Sequence, residues 1–240
     1  MTSKSIVYLI PSFLSEESIE TIPVYIINAI KNCKVIFAEN ERTARRFLKS
    51  MEKEIVIDDF EWFTIHKSEA EQISTFLQKI KEGKNIAIIS EAGCPGIADP
   101  GQILVHAAQQ MNVIVKPLVG PSSILLALMA SGMNGQQFQF AGYLPIDAHE
   151  RNIKLKELEE ESAKKKCTQI FIETPYRNNQ LMETILKTCK PTTQLCIASE
   201  LTSKNEFIKT KSIADWKNDK IDIHKKPVIF LIQASSNKKL

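Results

Sequence analysis

Glu91 and Asp99 are carried on one Gly/Pro-rich loop, EAGCPGIADPG, between a short apolar run (residues 86–90) and the helical pattern QILVHAAQQ. A loop of this kind at the end of a buried strand is where α/β proteins usually place a small ligand. It lacks the Lys and Ser/Thr of a phosphate cradle, and Gly93, Gly96 and Gly101 are not spaced as a dinucleotide fingerprint. Two carboxylates repel phosphate and favour a cation or a hydroxyl-rich group. The loop argues against a nucleotide polyphosphate and permits a positively charged cofactor.

A second stretch, NVIVKPLVGPSSILLALMASG, repeats the grammar: a β-branched run, a Gly-Pro turn, Ser122 and Ser123, then an apolar helix. Its serines and the Asp99-Pro100 pair each carry a structural reading as well. Asp or Ser before a helix, with Pro in the first turn, is a common way to start one. Thr174-Pro175 is a third instance. Capping and ligand binding at one helix N-terminus are compatible. Glu91 is harder to explain structurally, because a carboxylate just after a buried strand needs a partner or a ligand. Glu173 has the same character, whereas Glu200 reads as exposed. Cys94 reads as a space-filler, since no base stands near it in sequence. His66 reads as a surface or packing residue, and the four histidines show no metal-ligand spacing. No catalytic dyad is visible.

Together these stretches resemble the tetrapyrrole methylase superfamily, and within it the branch that methylates a ribose hydroxyl of small-subunit ribosomal RNA. That branch carries S-D-A-G-T-P-x-x-x-D-P-G and, downstream, G-P-S-[AS]. The corresponding residues are Ser90-Glu91-Ala92-Gly93-Cys94-Pro95, Asp99-Pro100-Gly101 and Gly120-Pro121-Ser122-Ser123. Ala38-Glu39-Asn40 with Arg42 and Arg45, Glu173-Thr174-Pro175, and Glu200-Leu201-Thr202 extend the likeness in order along the chain. The resemblance implies S-adenosylmethionine as cofactor, held largely by backbone groups. It implies that Pro11, Ser90, Glu91, Ala92, Gly93, Ile97, Asp99, Ser122, Ser123 and Glu173 stand on the cofactor side. Arg42 and Arg45 align with arginines facing RNA, although segment 41–49 alone reads as a solvated helix of mixed charge. A homodimer is also implied.

The likeness departs on the substrate side. Ile10-Pro11-Ser12-Phe13-Leu14-Ser15 replaces the branch's A-T-P-I-G-N-L, and its K-G-E-F becomes Lys226-Pro227-Val228. Asn40-Glu41 stands for Asp-Thr, and the added acid weakens a phosphate site. Three functions are therefore open: an RNA ribose methyltransferase, a small-molecule (tetrapyrrole-type) methyltransferase, and a cofactor-binding module without catalysis.

The elements that must position these residues alternate. Residues 6–10, 34–38, 86–90 and 113–118 read as strands, and 24–31, 43–51, 69–81 and 102–110 as helices. Residues 55–58 and 62–65 look β-prone. The alternation predicts a mostly parallel sheet with helices on both faces. Beyond the Gly-Pro turn, helices at 124–130, 149–166 and 177–188 interleave with strands at 137–142, 168–173 and 193–199. Further strands at 206–209 and 228–233 suggest a mixed sheet, with 228–233 apolar enough for a central place. The expected architecture is two α/β domains, residues 1–118 and 119–240, with the cofactor cleft between them.

At 240 residues, 43% hydrophobic and 25% charged, the composition is that of an ordinary globular protein. A net charge of +3 is too small to require or exclude a nucleic-acid partner. Five cysteines without a CxxC pair argue against a disulfide framework or zinc knuckle and fit a reducing cytosol. No run approaches the roughly 20 apolar residues of a membrane span, and no N-terminal leader is evident. A cytoplasmic protein is the expectation.

Overall fold

The strands of the first half are apolar on both sides because helices cover both faces of their sheet. The computed structural model describes residues 5–65 and 69–234; His66 and the tail 235–240 lie outside them. Contacts divide the chain into two units, Met1–Ser122 and Ser123–Leu240, the division falling inside the Gly-Pro-Ser-Ser turn.

In the first unit β1 (Ile6–Ile10), β2 (Val35–Ala38), β3 (Glu61–Thr64), β4 (Ile86–Ile89) and β5 (Ile114–Pro117) form one sheet in the order β3-β2-β4-β1-β5. All its pairings are parallel. Tyr8, Ile10, Ile36, Ala38, Ala87 and Ile89 face α1 (Ile26–Lys31) and α2 (Glu41–Met51) in one core. The alternate residues Val7, Val35, Phe37, Ile86 and Ile88 face α3 (Ile73–Lys81) and α4 (Gln102–Gln110) in a second. The period of two along a strand produces this partition. Phe37 anchors the second core, stacked on Phe63 at 4.9 Å and edge-on to Phe76 at 5.3 Å.

The second unit opens with α5 (Ser123–Ser131) and has a mixed sheet, order β6-β7-β10-β8-β9. Its strands are β6 (Phe138–Tyr143), β7 (Thr168–Ile172), β8 (Gln194–Ser199), β9 (Phe207–Ser212) and β10 (Val228–Gln233). β6 and β7 are parallel, whereas β10 pairs antiparallel with both β7 and β8, and β9 with β8. The most apolar strand, β10, is central as expected. One face packs a core with α6 (Ala148–Lys165), α7 (Asn178–Thr188) and α8 (Ile213–Trp216), from Leu155, Leu181, Phe171, Phe230 and Trp216. The sequence pattern did not show α8, a single turn capped by the Ser212 hydroxyl.

Residues 55–58 are not a strand. Ile57–Asp59 forms a 3-10 turn, whose Ile57 carbonyl accepts from the Trp62 indole at 3.1 Å. Two adjacent acids suit a turn better than a sheet. Among the described residues all five cysteines are free, and no helix is long and apolar enough to cross a membrane.

Candidate functional site

Strand order explains why the loop after β4 meets the segments after β1 and β2, since β4 lies between those two strands. The chain leaves β1 toward the α1/α2 face and leaves β4 toward the α3/α4 face. Adjacent parallel strands whose connections diverge this way make a topological switch point, where open α/β sheets hold ligands beyond their carboxyl ends.

Ser12 and Gly93 join the two loops by reciprocal amide-to-carbonyl bonds of 2.9 and 3.1 Å. The Ser12 hydroxyl donates to the Ser90 carbonyl at 3.1 Å, and the Ser90 hydroxyl to the Gly93 carbonyl at 3.3 Å. Gly93 has φ of +75°, and a side chain there would press on Leu14 Cδ2 at 3.3 Å. Glycine is required there by backbone conformation, independently of any ligand. Gly120 is needed for space: a Cβ would lie 2.3 Å from Pro11 Cβ. Pro11 is buried against that backbone.

Three carboxylates gather beside this bridge. Glu39, buried at the end of β2, accepts from the Glu91 amide at 2.9 Å. Glu91 accepts from Asn40 Nδ2 at 3.3 Å, so its partner is a neighbouring helix cap. Burial raises the Asp99 pKa to about 7, helped by the charges of Glu39 and Glu91. Burial, then Asp99, also raises the Cys94 thiol, which donates to the Pro121 carbonyl at 3.5 Å. That environment keeps the thiol protonated and unreactive.

Asp99 does not cap α4. The N-cap position is Gly101, φ +124°, and the helix's free amides at Ile103 and Leu104 donate to Glu69 Oε1 at 2.8 and 3.1 Å. A carboxylate from an earlier segment therefore does the capping, leaving Asp99 with the other acids. At Thr174 the expected cap is also missing: Pro175 occupies the first helical position, but the Thr174 side chain makes no cap bond. The Thr174 amide instead donates to Glu173 Oε1 at 2.6 Å.

A cavity of about 250 Å³ is lined by Ser12, Phe13, Leu14, Ser90, Glu91 and Ala92, with α2 on its other side. A second, of about 360 Å³, lies among Glu39, Asn40, Arg42, Thr64 and Glu91. Both are walled by acids, with Arg46 at the first and Arg42 at the second. Ile97 is 53% exposed on the loop. Ser122 is half-buried in the first unit, whereas Ser123 begins α5 in the second.

The basic segment divides. Arg42 is exposed at the second cavity, its amide capped by Asn40 Oδ1 at 3.0 Å. Arg45 is held by Glu41 at 2.5 Å and lies over Trp62 at 5.2 Å, while Arg46 pairs with Glu16 at 3.0 Å. Glu41 is the added acid noted in the sequence, and it takes up Arg45. In the second unit Glu173, its side chain 1% exposed, has Arg177 as partner at 2.5 Å. Glu200, expected to be exposed, is partly buried against Lys226 at 2.8 Å.

The profile of the tetrapyrrole (corrin/porphyrin) methylases matches residues 18–216. The chain belongs to this family. It is a methyltransferase family, and three similar relatives are each called ribosomal RNA small subunit methyltransferase I. The relative from Buchnera aphidicola (of Schizaphis graminum) is 30% identical over 97% of this chain and 79% of its own. That from Bacillus subtilis is 29% identical over 89% of this chain and 70% of its own. The Vibrio cholerae relative reaches 35%, over 64% of this chain and 52% of its own. Among solved structures, the methyltransferase CobJ superposes with a TM-score of 0.66 at 16% identity, covering 99% of this chain and 97% of that one. Uroporphyrin-III-C-methyltransferase from Thermus thermophilus gives 0.56 at 14% identity, with 96% and 92% covered. These likenesses establish the α/β fold of the methylases.

Sequence reasoning missed Glu39 as a site residue. The signal was present, since it follows a buried strand as Glu91 does.

Proposed function

We propose that the protein transfers a methyl group from S-adenosylmethionine to a ribose 2′-hydroxyl of small-subunit ribosomal RNA. The observation that carries the cofactor reading is the acid-walled loop at the switch point, where Glu39, Glu91 and Asp99 converge. Such a wall opposes a polyphosphate and suits a cation. The acceptor reading rests on the relatives, called ribosomal RNA methyltransferases, that align along the chain.

When bound, the cofactor supplies an electrophilic methyl on a positively charged sulfur; the chain's residues need only bind and align. The Ser12–Gly93 bridge holds the loop in one shape, and Ser90, Glu91 and Ala92 line the adjoining cavity. Arg42 offers a guanidinium to RNA phosphate beside that loop. Pro11, Ile97, Ser122, Ser123 and Glu173 belong to the same cofactor reading by family likeness, as does Arg45 to the RNA side. The protein is proposed to work in the cytoplasm as a homodimer, which light scattering across a concentration series would contradict by finding only monomer.

Calorimetry tests the cofactor. Affinity for S-adenosylmethionine should rise as pH passes through about 7, where Asp99 ionises. The rise should shrink in Asp99→Asn and be weaker for uncharged-sulfur S-adenosylhomocysteine. Absence of binding to either ligand would remove the cofactor reading. Incubation with labelled S-adenosylmethionine and cell extract tests the acceptor: label in small molecules rather than RNA would transfer the reading to a small-molecule methyltransferase.

A further inference from the structure

The second unit carries an exposed aromatic beside a lysine that pairs with no carboxylate among the described residues, and neither has a part in the site above. Tyr176 is 70% exposed in the turn that follows β7. The Lys225 ammonium lies 5.6 Å from its ring centre, and His224 meets it edge-on at 5.9 Å. Lys225 is bonded to no carboxylate among the described residues, unlike Lys226 and Arg177, which pair with Glu200 and Glu173. Oδ1 of the nearby Asp222 accepts from Asn179 Nδ2 at 2.8 Å and from the His224 amide at 3.0 Å.

This group sits on a fixed frame. The Lys225 amide donates to the Pro175 carbonyl at 2.9 Å, joining the turn after β7 to the loop before β10. Asn178, fully buried, donates to the Ile223 and Lys226 carbonyls at 3.3 and 2.7 Å, and Asn179 Oδ1 accepts from the Ile223 amide at 3.0 Å. Lys225 itself is held at φ +61°, a left-handed conformation costly for a lysine. A mostly exposed aromatic ring with an ammonium over it offers one unpaired nucleotide what it needs: ring surface to stack on and a charge for its phosphate.

We infer that Tyr176 and Lys225 form a stacking platform for single-stranded RNA, a further substrate contact carried by the second unit; this rests on the RNA reading proposed above. The test is fluorescence anisotropy of a dye-labelled single-stranded RNA oligonucleotide across a salt series. Tyr176→Ala should weaken binding about 5- to 150-fold without changing the salt slope, while Tyr176→Phe, which keeps the ring, stays within about twofold. Lys225→Gly suits the left-handed backbone and removes the charge, so it should reduce the log–log slope by about 0.7. S-adenosylhomocysteine affinity, measured on the same preparations, should stay at the parent value and certify the fold. Unchanged RNA affinity and slope in Tyr176→Ala and Lys225→Gly would overturn the platform alone, making the cluster a pin between two loops. A parent that binds no RNA would overturn the platform and the RNA reading together, leaving the cofactor reading to its own measurement.

Discussion

Asp99 faces a choice that solvent normally resolves. Its pKa, ordinarily near 3.8, is raised to about 7 by burial and by the charges of Glu39 and Glu91. Well below pH 4 the carboxyl is protonated in both folded and unfolded chains. Between about 4 and 7 the unfolded chain releases the proton first, so the folded state loses relative stability as pH rises. Above about 7 the deficit is constant. Asp99→Asn should therefore match the parent at about pH 3 and exceed it at pH 8 by about 1 kcal/mol, discounted for the water that still reaches the group. Thermal melts of the ligand-free protein at the two pH values check this, and equal differences at both would show that Asp99 is not held among like charges. A cluster that costs stability without ligand is the pattern of a residue kept for binding.

At the scale of elements, α4 depends on a residue outside itself. Its first free amides end on Glu69, because a glycine occupies the cap position and the Asp99 side chain is absent from it. Glu69→Ala should cost about 1–2 kcal/mol in urea denaturation, with Glu69→Gln recovering most of the loss by retaining an acceptor. A neutral Glu69→Ala would mean that water caps α4 equally well. Where a cap adjoins its helix, the local pattern suffices: Asn40 accepts from the Arg42 and Thr43 amides, and Asp147 from those of His149 and Glu150.

For the whole molecule, the first unit holds two cores and the second one, and each unit has its own tryptophan, Trp62 in the first and Trp216 in the second. Trp216 is buried, with its indole donating to the Leu195 carbonyl at 2.8 Å. Phe37→Ala removes a fully buried ring from the first unit and should cost it about 3–5 kcal/mol. In single-tryptophan variants, the fluorescence midpoint in urea should fall further with Trp62 as reporter than with Trp216. Equal shifts would show that both units unfold as one.

The sequence by itself determined the two sheet types, most element positions and the family. Apolar runs such as residues 86–89 and 228–233 leave little alternative to buried strands, and Gly/Pro loops mark where those strands end. The paired loops were legible because their chemistry is local, with Glu91, Gly93 and Asp99 on one short segment. Only tertiary structure decided which groups meet across distance. Glu39 reaches the Glu91 amide because β4 inserts beside β2, and Glu69 reaches α4 through the packing of the same face. Arg45 and Glu173, read as contacts for ligands, have partners of their own in Glu41 and Arg177. Strand order and side-chain pairing are set by burial and by charge neutralisation over the folded chain, and neither leaves a periodic trace in the residues that take part.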